Sequence, residues 1–281
     1  TNNRTNGLGD VVNGGGTAGV AFNVRIMPVK VLDGEWDTIL GAPNSATDDV
    51  VALGIRYAAD NGAKVINMSL GRTGPANCGG NPNQSGCAPV VEDAIRYAVG
   101  KGVFVAVAAG NGFLTGNPTE VMAEIASRVQ GAMSVAAVNP ATGHASYSTK
   151  GSYVEIAAPG GDHGSFGSAG GVFQQTLSLD LVDTFDLAPS KFVRPRFDVF
   201  EYPGFIGTSM ATPHVAGVAA MLMQQGITSP AAIEAALERF ALPCSESDNR
   251  CSSSVASNRN QTFGFGLLQA RAALRGLGLA Q

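Results

Sequence analysis

The chain has 281 residues, 44% of them apolar and only 14% charged, with 37 glycines and a net charge of −4. This composition excludes a disordered chain, which would be poorer in apolar residues and richer in charge, and the length suffices for one large domain with a substantial core. Charges of both signs without a basic stripe argue against a nucleic-acid partner, and no apolar run approaches the ~20 residues of a membrane helix.

Residues 1–19 are rich in Asn and Gly and read as a loop. The chain opens on Thr1 and shows no signal peptide, which gives the expectation of a processed or excised piece of something longer. Residues 24–32, V-R-I-M-P-V-K-V-L, form a strand candidate. Thr47 before Asp48 and Asp49 marks a helix start running to about Asp60, with Gly62 suited to its end. K-V-I-N-M-S-L, 64–70, reads as a buried strand.

The pattern then repeats. Pro89 opens a helix with Val91, Ile95 and Ala98 on one face. V-F-V-A-V-A-A, 103–109, is a second buried strand, and 132–138 and 153–158 continue the series. Helix and apolar strand in alternation predict a parallel sheet covered by helices, an α/β class. Ligands of such sheets bind beyond the carboxyl ends of the strands. Ser69-Leu70-Gly71 and Gly110-Asn111-Gly112 fall on that edge. Residues 162–205 read as a long surface insertion within one domain spanning 1–281. A nearly all-apolar helix follows at 209–225, then helical patterns at 230–240 and 266–275.

Four cysteines fall into two short-range couples, Cys78 with Cys87 and Cys244 with Cys251. Neither couple is a C-x-x-C and no histidine lies close by, which disfavours zinc. Two local disulfides are expected, pointing to an oxidising compartment and hence a secreted, extracellular protein. Four thiols of a cytosolic protein are the alternative.

G-T-S-M-A-T-P-H-V-A-G, 207–217, places Ser209 at the start of the buried helix, where free amides and the dipole stabilise an anion. Gly207 allows close approach of a backbone, and Pro213 is expected in the first turn. On helix signals alone, Ser209 is an ordinary N-cap. The stretch resembles the active-serine motif of the subtilisin-like serine proteases. A-G-V-A-F-N-V-R-I-M-P-V-K-V-L-D (18–33), V-I-N-M-S-L-G (65–71), A-A-G-N (108–111), A-S-Y-S-T-K-G-S-Y-V-E-I-A-A-P-G-G (145–161) and F-G-F-G-L-L-Q-A (263–270) follow in the order of that family.

The resemblance implies a three-layer fold with a mostly parallel central sheet and helices on both faces, and serine endopeptidase activity on proteins or peptides. It implies Ser209 as nucleophile and Asn111 with the Ser209 amide as donors to the oxyanion. Ser69, Leu70 and Gly71 resemble one wall of the primary specificity pocket, and Ala108, Ala109 and Gly110 the other. Asn44, Ser45 and Ala46 align loosely with the outer substrate-binding segment. No cofactor is implied for the chemistry. Asp10 with its neighbouring asparagines is placed where family members often carry structural calcium, although ligand spacing does not itself define a site there.

The triad is where the chain departs from the family. The family's Asp-Ser/Thr-Gly strand end and its H-G-T-H-V-A-G helix both precede the segment matching 18–33, and neither motif stands in residues 1–17. The expectation is a fragment lacking that strand and that helix, with their aspartate and histidine on an upstream segment of the same precursor. A peptide-binding pseudo-protease and one part of a nicked enzyme are the alternatives. None of the three histidines is taken as a substitute. His214 lies about 140° round the helix from Ser209, His144 sits in a turn, and His163, beside Asp162, reads as a loop residue. Gly14, Gly16 and Gly19 fit G-x-G-x-x-G, but a loop precedes them and a strand candidate follows, so no dinucleotide site is expected.

Overall fold

The alternation of side chains along each strand fixes the layering. The structure, a computed structural model, describes residues 18–32, 46–74, 87–177, 200–254 and 258–276. Four strands, β1 (Val65–Met68), β2 (Phe104–Ala108), β3 (Ala132–Val138) and β4 (Ile156–Pro159), form a parallel sheet in the order β1-β2-β3-β4. Val105 and Val107 face one side, with Val91 and Ile95 of α2 (Pro89–Gly100), Ile55 of α1 (Asp48–Asp60) and Ile125 of α3 (Val121–Ala126). Phe104, Ala106, Met133 and Val135 face the other side. They meet Val215 and Leu222 of α4 (Thr208–Gln224), Leu237 of α5 (Pro230–Arg239) and Ala273 of α6 (Ala270–Arg275). The result is helices, sheet, helices, as expected. Removing Phe104, fully buried between sheet and α4, would cost about 3–5 kcal/mol.

Local signals explain the helix ends. The Thr47 hydroxyl accepts the Val50 amide, and Asp48 and Asp49 occupy the first turn of α1. Gly62, at φ +86°, takes the left-handed position beyond its end. Pro89 is the first residue of α2, where its missing amide costs nothing.

Several expectations need correction. Residues 24–32 are assigned no strand. Strand structure requires a hydrogen-bonded neighbour, and Val29 and Val31 of this segment pack against Gly54 of α1. The strand at 64–70 is only half-buried: Ile66 and Met68 are inside, but Asn67 is exposed. β1 is the outermost described strand, so one of its edges has no strand partner among the described residues. The helical pattern at 266–275 begins only at Ala270, because Leu267 is held in bridges with Ala157 and Leu242.

Residues 162–205 fold back on themselves where described. β5 (Val172–Phe173) pairs with β8 (Gly204–Phe205), and β6 (Thr176–Leu177) with β7 (Phe200–Glu201), both antiparallel. Residues 178–199 lie outside the described residues. A disulfide joins Cys244 to Cys251 across β9 (Cys244–Ser245) and β10 (Arg250–Cys251). Cys87 is also disulfide-bonded, and its expected partner Cys78 lies outside the described residues.

Candidate active site

Parallel strands bring their carboxyl ends to one edge, and the chain leaves that edge at two places that matter. Ser69, Leu70 and Gly71 follow β1, and Ala109, Gly110 and Asn111 follow β2, its neighbour. Ser209 is the second residue of α4, whose N-terminus reaches the same edge.

Two pairs of hydrogen bonds assemble this corner. The Ser69 hydroxyl donates to the Ser209 carbonyl at 2.8 Å. The Ser209 hydroxyl donates to the Ser69 carbonyl at 3.3 Å. Asn111 Oδ1 accepts both the Thr208 amide and the Thr208 hydroxyl, each at 2.9 Å. The second pair fixes the asparagine amide, since its oxygen is committed to Thr208 and its nitrogen must point the other way. The Thr208 hydroxyl in turn accepts the Gly110 amide at 3.2 Å.

Gly207 completes the geometry. Its φ of +150° is open only to glycine. A Cβ built there would stand 3.5 Å from Asn111 Nδ2 and 3.5 Å from the Ser209 amide nitrogen. Two N–H donors therefore flank one space that only glycine leaves open, at the positive end of a 17-residue helix.

Pro213 is not in the first turn, as expected, but is the sixth residue of α4. Its ring removes the amide that would bond the carbonyl four residues back, which is that of Ser209. The Ser69 hydroxyl supplies the missing donor.

None of the three histidines is a hydrogen-bond partner of Ser209. His144 is buried, its Nε2 against the Ser148 carbonyl at 2.7 Å, and burial holds its pKa below the ordinary value. His163 is exposed, with Nε2 at 3.2 Å from the Gly204 carbonyl. The neighbouring Asp162 turns away to the amide and hydroxyl of Ser146. His214 Nδ1 pairs with the Met210 carbonyl at 2.8 Å, and burial lowers its pKa as well.

Ser209 borders a groove of about 1520 Å³. Its walls are the 18–31 segment, α1, β1, and Pro213, His214 and Gly217 of α4. Apolar side chains stand exposed along the 18–31 segment, Ile26 at 81% and Phe22 at 70%.

Sequence reasoning missed Thr208, the residue that orients Asn111, and Glu120, which is buried beside Gly71 and Gly110. Asn44, Ser45 and Asp10 lie outside the described residues, and Ala46 is half-buried before α1. A second acidic site appears elsewhere. Oxygens of Glu155, Glu234 and Glu238 lie within 4.8 Å of one another. Burial raises Glu155 to about 8 and Glu234 to about 7. Such oxygens suit calcium in kind. One oxygen of Glu155 accepts the Ser134 amide and one of Glu234 accepts the Gly131 amide, so only part of the set is open.

The comparisons agree with this geometry. Thermitase of Thermoactinomyces vulgaris is 34% identical over 229 residues, 82% of this chain and 62% of that protein. An extracellular protease of Xanthomonas campestris is 32% identical, over 80% of this chain and 33% of its own length. The chain thus spans less than two thirds of these curated relatives. Among solved structures, a protease from Pseudoalteromonas arctica superposes with TM-score 0.66 at 29% identity, over 95% of this chain and 67% of that one. Fervidolysin from Fervidobacterium pennivorans, described as a keratinolytic enzyme related to subtilisin, gives 0.64 at 27%, over 93% of this chain and 33% of that one. The model of the subtilase family, peptidase S8, matches residues 2–266, and the chain belongs to that family.

Proposed function

We propose that this chain is the serine-bearing part of a secreted serine-type endopeptidase that hydrolyses peptide bonds through an acyl-enzyme. The observation that carries the reading is the pair of donors, Asn111 Nδ2 and the Ser209 amide, flanking the space over Gly207 beside the Ser209 hydroxyl. A peptide would lie extended against Ser69-Leu70-Gly71 and Ala108-Ala109-Gly110, adding its backbone to the carboxyl edge of the sheet. Ser209 Oγ attacks the scissile carbonyl carbon and passes its proton to a histidine. The carbonyl oxygen, now negative, sits between the two N–H donors. The C–N bond then breaks, the histidine returns the proton to the leaving amine, and water hydrolyses the ester. No cofactor takes part in these steps.

The histidine and its orienting aspartate come, in this reading, from a segment N-terminal to residue 1 that seats in the groove beside Ser209. Three features support this: the outer edge of β1, which has no strand partner among the described residues, the apolar lining, and the prior hydrogen-bond commitments of His144, His163 and His214. By itself the chain would bind peptide without turning it over. The disulfide between Cys244 and Cys251 and the kinship to an extracellular protease support secretion. The decisive experiment replaces Ser209 by Ala in the full-length protein. Loss of both peptide hydrolysis and fluorophosphonate labelling supports the reading, and retention of either overturns it.

A further inference from the structure

Glu120 precedes α3, at the position where a carboxylate commonly caps a helix, yet it makes no such bond. Its side chain is buried, with the residue only 6% exposed, and Oε1 has no hydrogen-bond partner. An unpartnered buried oxygen is costly and calls for an explanation.

Its place in the fold is fixed by backbone. Residues 119–121 run antiparallel to 72–74: Thr73 and Glu120 form a bridge, the Gly74 amide bonds the Thr119 carbonyl, and the Val121 amide bonds the Arg72 carbonyl. This carries the carboxyl group under the ends of two segments. A Cβ on Gly71 would overlap Oε1. A Cβ on Gly110 would meet Cβ of Glu120 at 3.2 Å and Oε2 at 3.4 Å. The carboxyl group thus lies against Gly71 and its stem against Gly110, at the base of the space between Ser69-Leu70-Gly71 and Ala108-Ala109-Gly110. The nearby cation, Arg72, directs Nε and Nη2 to the two oxygens of Asp48, at 3.0 and 2.7 Å.

We propose that Glu120 is the specificity-determining residue of the primary pocket and selects peptides with arginine or lysine immediately before the scissile bond. This rests on reading those two segments as the pocket walls. An incoming cation gives Oε1 the partner it lacks and replaces an unfavourable burial with a charge-assisted hydrogen bond. Burial is the largest influence and raises Glu120 to about 7; the Arg72 charge and the nearby amides of Arg72 and Met122 oppose it, but none of them reaches Oε1 as a hydrogen-bond partner.

The test uses the full-length protein and matched peptides that differ only in Arg, Lys, Phe or Leu before the cleaved bond. One arm measures kcat/KM. The other measures binding of the same peptides to the Ser209→Ala variant, so that absent turnover cannot decide it. The expected result is a preference of about 10²-fold for Arg over Phe in kcat/KM, with the same order in binding. Glu120→Gln should abolish the preference while Leu peptides keep their values within a few-fold, which also reports that the variant is folded. Equal or tighter binding of Phe peptides overturns the proposal, as does an Arg preference that survives Glu120→Gln. Failure of hydrolysis with the Arg preference retained in binding overturns only the endopeptidase reading.

Discussion

Ser69 and Ser209 hold each other by two reciprocal hydrogen bonds, each hydroxyl donating to the other's main-chain carbonyl, at 2.8 and 3.3 Å. The shorter bond exists because Pro213 interrupts the α4 ladder and frees the Ser209 carbonyl. Ser69→Ala should therefore destabilise the fold by about 1–2 kcal/mol, the cost of a part-buried carbonyl left without a donor. Pro213→Ala restores a helical amide to that carbonyl. In the Pro213→Ala background, Ser69→Ala should cost clearly less. Chemical denaturation of the four variants of this cycle checks the coupling, and strictly additive effects would refute the link.

Asn111 is held by Thr208 with its nitrogen turned toward the space over Gly207. In the intact enzyme, Asn111→Leu should lower kcat by about 10²–10³ with little change in KM, a magnitude carried over from such a donor in a subtilisin. Thr208→Val should lower kcat less, since it removes one of the two bonds that orient the amide. Steady-state kinetics on one peptide separates the cases. A raised KM at constant kcat for Asn111→Leu would place the residue in substrate binding instead.

The disulfide between Cys244 and Cys251 closes a short loop, the two cysteines standing at a sequence separation of 7. In the chain-entropy account such a loop contributes about 2–3 kcal/mol by restricting the unfolded state. Peptide mapping without reductant should recover Cys244 linked to Cys251, and Cys87 linked to Cys78. Replacing Cys244 and Cys251 together by Ser should lower Tm. Finding Cys87 linked to either of the other two would rule out the pairing.

What the sequence revealed follows the range of the interactions involved. Thr47 capping α1, Pro89 opening α2 and the apolar runs of β2 and β3 are local signals, and each became the element it predicted. Asn111 and Ser209 were legible through ordered motifs. The ties that make a site of them were not: Thr208 to Asn111 spans 97 residues and Ser69 to Ser209 spans 140. Glu120 carried no signal because an acid at a helix start is common for the dipole alone. Residues 24–32 read as a strand from composition, but composition cannot supply the neighbour that a strand requires.

The buried acidic corner gives a pH prediction. Glu155 and Glu234 have folded pKa values of about 8 and about 7, raised chiefly by burial, with Glu238 adding to both and Arg259 opposing. Each holds its proton more tightly folded than unfolded. Their contribution to stability is thus fully present below the ordinary carboxylate pKa and is lost as pH rises through about 7 and 8. Denaturant midpoints should fall between pH 5 and pH 9. Glu234→Gln should make that fall shallower, and an unchanged slope would show that these groups do not govern it.

The last prediction concerns the 281 residues alone. The Ser209 hydroxyl donates to a carbonyl, which leaves it a neutral and weak nucleophile without a base. Loss of the histidine in a subtilisin costs about 10⁶ in kcat, so labelling by a fluorophosphonate should be undetectable on the timescale that saturates the full-length protein. The groove beside Ser209 should also report itself. With Phe22 and Ile26 exposed and the outer edge of β1 without a strand partner among the described residues, the isolated chain should bind a hydrophobic dye and tend to aggregate. If the proposed N-terminal segment supplies the base, adding it as a separate polypeptide should reverse both properties together, because one occupant would cover the groove and bring the base. Dye release and Ser209 labelling should follow the same titration curve. Rapid stoichiometric labelling before any addition would show that the chain already holds a base. His163, exposed and with Nε2 against the Gly204 carbonyl, would then be the first residue to replace.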